Sequence, residues 1–242
     1  MIAARQIAFG KAAGKKEESP AYRGLCFTAE AVNSSVQLTA VGSAPAVTLV
    51  KSFDGVNWED YAVGEVIDLP SVGDYVYFAA GEGGNNAFGA SASAYHKFVI
   101  NGLVASSGDI TSILNFDCAQ TTLAVSCYNS MFYGCTGLTS APELPATTLA
   151  GSCYNSMFRD CTGLTSAPEL PATTLEIRCY ASMFIGCTNL SLIKVHFTAW
   201  GAQTNSWVSE VASTGTFYKP TALPEQYGVS KIPTGWTVIN ED

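Results

Sequence analysis

"CYNSMFYGCTGLTSAPELPATTLAGSCYNSMFRDCTGLTSAPELPATTL", residues Cys127–Leu175, says nearly the same thing twice. Cys127-Tyr128-Asn129-Ser130-Met131-Phe132 returns as Cys153-Tyr154-Asn155-Ser156-Met157-Phe158, and more loosely as Cys179-Tyr180-Ala181-Ser182-Met183-Phe184. Thr121-Thr122-Leu123, Thr147-Thr148-Leu149 and Thr173-Thr174-Leu175 keep the same 26-residue step. A fixed period of roughly 20–50 residues marks a stacked architecture, because one unit cannot bury its apolar side chains alone and needs the units above and below it. A solenoid is therefore expected over residues 107–195. Its core positions are Phe132, Cys135 and Leu138, then Phe158, Cys161 and Leu164, then Phe184, Cys187 and Leu190. So short a stack needs both ends covered, and residues 196–242, with Trp200, Trp207, Phe217, Tyr218, Tyr227 and Trp236, are expected to cap one of them.

Six of the eight cysteines fall in the repeat, always as C-x7-C. Equivalent positions on stacked strands lie about 4.8 Å apart, so Cys127, Cys153 and Cys179 should form one column and Cys135, Cys161 and Cys187 another. Free cysteine packs as a small apolar side chain, which favours two buried columns of reduced thiols. An even count also permits disulfides within each coil. Zinc sites place paired ligands two to four residues apart, and neither His96 nor His196 lies in such a group. No metal and no cofactor is expected.

Working outward, residues 21–106 show short β-branched and aromatic runs separated by turns such as Asn33-Ser34, Gly42-Ser43 and Asp54-Gly55. Strands are expected over 24–29, 35–41, 46–53, 65–69, 74–79 and 95–103. That spacing predicts a small antiparallel, immunoglobulin-like β-sandwich. Trp58 and Tyr61, after the Asp54-Gly55 turn, read as packing aromatics, with an exposed sugar-stacking pair as the alternative.

The chain is 48% hydrophobic and 13% charged, which indicates a globular body. Residues 1–23 hold five basic and two acidic residues, a net +3, so the remainder sums to −11. An acidic body disfavours a phosphate backbone, and nucleic acid is not expected as a partner. No apolar run approaches the roughly 18 residues that span a bilayer, so no membrane insertion is expected. The opening MIAARQIAFGKAAGKKEE lacks the apolar core of a secretory signal, being cut by Arg5 and Lys11. Residues 1–20 instead read as an anchoring arm, with Ile2, Arg5, Ile7, Phe9 and Lys11 as docking residues.

The run Phe132-Tyr133-Gly134-Cys135-Thr136-Gly137-Leu138, followed by Ala141-Pro142-Glu143-Leu144-Pro145, recurs from Phe158 to Pro171 and begins again at Phe184. It resembles the leucine-rich repeats of the BspA, or Treponema pallidum, type. Two features depart from that pattern. The 26-residue period is a few residues longer, and Pro142 and Pro168 sit where a strand belongs, so the sheet there should be short or interrupted. The tail from Trp207 to Val238 resembles endings found in proteins of gut Bacteroidales and their phages. The opening Met1–Gly10 resembles the start of phage structural proteins.

No catalytic constellation assembles from the sequence: there is no Gly-x-Ser-x-Gly elbow, phosphate-binding glycine loop or His-Glu-x-x-His. Glu143 and Glu169 share one repeat position, which reads as an exposed ladder on adjacent coils in place of a paired-carboxylate site. A non-enzyme is expected. The resemblance implies one of two roles: a virion fibre or decoration protein attached to other virion proteins by its arm, or a bacterial surface adhesin binding host protein or glycan. A homo-oligomer, dimer or trimer, would let several arms act together.

Overall fold

The computed structural model describes residues 22–241. The arm, with Ile2, Arg5, Ile7, Phe9 and Lys11, lies outside the described residues. The chain is mainly β: thirteen strands in three sheets, and no α-helix among the described residues. The strands are β1 (Cys26–Ala29), β2 (Ser34–Val41), β3 (Leu49–Ser52), β4 (Glu59–Tyr61), β5 (Val66–Leu69), β6 (Tyr75–Ala80) and β7 (Gly89–Ser91). They continue with β8 (Ala94–Asn101), β9 (Val104–Ser107), β10 (Leu138–Ser140), β11 (Leu192–Lys194), β12 (Thr216–Pro220) and β13 (Thr237–Glu241).

One sheet runs β10-β9-β1-β6-β3-β4 and a second runs β5-β2-β8-β7. Their inner faces meet through Phe27 of β1, Phe78 of β6 and Phe98 of β8, whose ring centroids lie 4.7–5.8 Å apart. Strand β2 shows why: Val36 and Leu38 point inward and are fully buried while Gln37 and Thr39 are half-exposed, the period-2 alternation of a one-sided strand. Before the repeat, three strands lie beyond the expected six, namely β4, β7 and β9. The first two are three residues long and carry Glu-Asp-Tyr and Gly-Ala-Ser, which offer no alternating apolar face.

His96 of β8 is buried, with Nδ1 3.0 Å from the Phe88 carbonyl. Burial pushes its pKa below the usual histidine value, so the folded state holds it neutral. On acidification the unfolded chain takes up a proton near pH ~6.5 that the folded chain resists. Stability should therefore fall as pH drops below that value, and His96→Gln should flatten this segment of a denaturation-midpoint-versus-pH curve. A curve unchanged by the substitution would show that His96 titrates freely in the fold.

The repeat forms an unusual wall. Within it, odd-numbered residues donate their N–H groups inside their own coil, as Met131 N–H does to Tyr128 O at 3.2 Å and Cys135 N–H to Phe132 O at 3.0 Å. Even-numbered residues donate to the next coil: Tyr128 to Cys153, Ser130 to Asn155, Phe132 to Met157 and Gly134 to Arg159, at 2.7–2.9 Å. The next coil repeats the scheme, Tyr154 to Cys179 through Asp160 to Ile185. Successive tight turns of this kind need a left-handed residue every fourth position, and Ser126, Ser130, Ser152, Ser156, Asp160 and Ser182 all have φ between 54° and 60°. Serine there carries a steric cost that glycine would not, and Gly134 and Gly186 take two of the equivalent sites.

Side chains behind the wall stack in columns. Phe132, Phe158 and Phe184 lie nearly parallel with centroids 5.3 and 5.8 Å apart; Tyr128, Tyr154 and Tyr180 do the same at 5.8 and 5.9 Å. Both columns begin in the first half of the chain, with Phe98 stacked on Phe132 and Phe88 on Tyr128. One buried cluster therefore runs without a break from Leu25 to Trp236.

At the far end the scheme also continues into 196–242. Tyr180, Ser182, Phe184 and Gly186 donate to Gln203, Asn205, Trp207 and Ser209, and Trp207 meets Phe184 at 6.2 Å. Strands β11, β12 and β13 pair in parallel, Leu192 with Thr216 and Thr216 with Thr237. The stretch expected as a cap thus continues the ladder in shorter steps. On the opposite wall, β10 and β11 are three residues each, and the coil between them makes only isolated bridges, Ser166 to Leu192 and Leu170 to Val195. Each full coil there has a proline, Pro142 or Pro168, that cannot donate to a ladder.

Candidate functional site

All nine core positions read from the repeat are buried: Phe132, Cys135, Leu138, Phe158, Cys161, Leu164, Phe184, Cys187 and Leu190. The cysteines are free thiols. In the second column each S–H donates to the carbonyl of the phenylalanine one coil earlier: Cys135 to Phe98 at 3.2 Å, Cys161 to Phe132 at 3.0 Å and Cys187 to Phe158 at 2.9 Å. Burial pushes the Cys127, Cys135, Cys179 and Cys187 thiols up to about 12 and Cys153 and Cys161 above the usual range. A thiol held protonated is a poor nucleophile. Both columns are packing, and in the second the sulfur is also fitted to a carbonyl.

Alkylation of the native protein should therefore label Cys118, the one partly exposed cysteine, and spare the six repeat thiols. All eight should react after denaturation without reductant. Peptides linked as Cys127–Cys135 in the mass spectrum would show instead that the coils are oxidised.

The repeated Pro-Glu-Leu-Pro segments form a ledge on the opposite wall. Leu144 and Leu170 turn inward, while Glu143 and Glu169 are exposed beside Pro142, Pro145, Pro168 and Pro171 around a shallow cleft. Glu169 is not a bare carboxylate. His196 Nε2 lies 2.5 Å from its Oε1, Lys194 Nζ lies 3.4 Å from the same oxygen, and Lys194 also pairs with Glu241 at 2.9 Å. The His196 hydrogen bond, followed by Lys194, holds the Glu169 carboxyl below its usual range. Lys194 and His196 stand 25 and 27 residues past Glu169, but the loss of the repeat after Leu190 hid that relation in the sequence.

At the other end of the molecule Tyr61 is buried, its hydroxyl donating to Glu65 O and accepting from Leu38 N–H. Trp58 is half-exposed and packs edge-on against Tyr22 at 4.7 Å and Phe116 at 5.0 Å. Tyr22 and Phe116 were not singled out in the sequence, because they are 94 residues apart and only the fold joins them. Comparison with protein-family models, with curated proteins and with solved structures finds no match.

Proposed function

We infer that the chain is a non-enzymatic structural protein of a phage virion, a fibre or decoration protein. In this reading an immunoglobulin-like β-sandwich carries a leucine-rich-repeat-like solenoid with a closed C-terminal end, and the arm at residues 1–20 attaches it to other virion proteins. The observation that supports it is the unbroken double column of rings from Phe88 and Phe98 to Trp207. A body held by one continuous core suits a rigid outward post, and the basic, partly apolar arm ahead of an acidic body suits a docking peptide.

The test is incorporation. Particles grown with full-length protein should carry it, and deletion of residues 1–20 should leave a folded chain absent from purified particles. Normal incorporation of the shortened chain would place attachment on the body.

The ledge favours a second reading, a bacterial cell-surface adhesin of the BspA type that binds host protein or glycan through Glu143 and Glu169. Binding to a host-surface array that Glu143→Ala with Glu169→Ala abolishes, on a protein recovered from the bacterial surface, would support this reading over the first.

A further inference from the structure

The corner where the described chain begins is apolar, and part of it is unpartnered. Tyr22, Trp58 and Phe116 form a mutually packed triangle with Phe116 38% exposed. The loop before Trp58 adds Val56 at 61% exposure, and Gly55 lies against Tyr22: a Cβ there would stand 3.4 Å from Tyr22 Cβ. This loop is held in one shape. The Asp54 carboxylate accepts from the Val56 and Asn57 N–H groups and the Asn57 amide, at 2.6–2.8 Å. Burial opposes ionisation of Asp54, but those hydrogen bonds win and hold its pKa down to about 2. A preorganised apolar surface loses little entropy when something seats on it.

The surroundings carry more acids than bases, Asp109, Asp117 and Glu143 against Arg23 around Cys118. Asp54 sits in the loop, and Asp109 and Asp117 lie close enough to Tyr22 to raise its hydroxyl pKa, after burial and Cys118. The matching chemistry is in this same chain: residues 1–16 carry Ile2, Ile7 and Phe9 with Arg5, Lys11, Lys15 and Lys16 and no acid. Between that segment and Tyr22 stand Glu17 and Glu18. Like charge between this acidic pair and Asp54 and Asp117 disfavours a short fold-back onto the corner of the same copy. A second copy's arm can approach with its apolar, basic end first.

We propose that residues 1–16 of one copy seat on the Tyr22–Trp58–Phe116 corner of another. Ile7 and Phe9 cover the exposed rings and Val56, and the basic residues pair with Asp54 and Asp117. The two patches differ, so the contact is heterologous: it closes into a ring or runs on as a filament. This deepens the arm's role in the reading above by naming another copy of the chain as its partner. It is tested without any particle, so the two fail separately: a purified chain that self-associates but never enters particles would sink only the virion reading.

The experiment uses full-length chains in sedimentation velocity, with thermal unfolding as a check on folding. Wild type should self-associate. Val56→Lys, at an exposed position that tolerates a charge, should weaken association about tenfold or more, as should Phe9→Asp in the arm. Mixing these two variants should restore one contact and give a one-to-one pair that grows no further, since each copy supplies only one working patch. Wild type that stays monomeric, or association untouched by both substitutions, overturns the proposal. A monomer whose tryptophan fluorescence changes on Phe9→Asp, the change vanishing in a Trp58→Phe background, would show the arm seated on its own body, and overturns it too.

Discussion

Leu164→Ala should cost stability at the upper end of the roughly 2–5 kcal/mol typical of a buried leucine truncated to alanine. Leu164 is fully buried in the middle of the column Leu138–Leu164–Leu190, so coils on both sides lose contact with the deleted atoms. The backbone around it cannot readily collapse into the void. Leu164 N–H is already tied to Cys161 O, and the wall behind is pinned to the next coil at every second residue. Because each coil packs mainly on its neighbours, the damage should spread to both. Urea denaturation read by the summed fluorescence of the four tryptophans, and by far-UV circular dichroism, would test this: both signals should shift to one lower midpoint. An unchanged midpoint would put position 164 on the surface and the repeat out of register.

Gly137→Val should be as damaging for a different reason. Gly137 has no left-handed backbone to protect; its hydrogen is needed because a Cβ would stand 2.0 Å from the carbonyl oxygen of Gly102. That contact lies where the first coil docks on the strands before it, next to the Val104 N–H to Gly137 O bond and the pairing of Leu138 with Val104. Backbone must move, so the cost should reach or pass the top of the roughly 1–3 kcal/mol typical of overpacking. Gly134→Ala is the control from the same coil. Nothing lies within 4 Å of a Cβ there, and its φ of 76° costs only the strain of a left-handed alanine. The two variants should separate clearly in thermal midpoint; equal midpoints would mean the junction flexes freely.

The repeat was legible because its period is exact over two coils and close over a third, so the burial of Phe132, Cys161 or Leu190 follows from position alone. Most strands of the first half were legible from alternation, as in Ser34–Val41. The way the halves join was not. Phe98 heads the phenylalanine column but precedes Phe132 by 34 residues, off the 26-residue step, and lies in an antiparallel strand with its own periodicity. Trp207 continues the column 23 residues after Phe184, with a different residue type. In both places tertiary packing keeps the ring and discards the spacing, and spacing is all that a sequence pattern records. The aromatic corner was hidden for a related cause: Tyr22, Trp58 and Phe116 belong to no shared period.

The odd-and-even hydrogen bonding of the turn wall gives the stack an electrical direction. Between coils every such bond in that wall runs one way, N–H toward the later coil and C=O toward the earlier one, from Ser126 through Gly186. Aligned peptide dipoles add rather than cancel, unlike those of an ordinary sheet, whose strands leave only a small net moment. An α-helix gathers its positive end at its start. This wall gathers its negative end there, where the Cys127 and Met131 carbonyls are taken up by the Phe88 and Phe98 N–H groups. Its positive end faces the last coils, where the Val208 N–H donates onward to Val229 O. Adding coils would lengthen the separation without changing the sign, so the polarity belongs to the repeat itself.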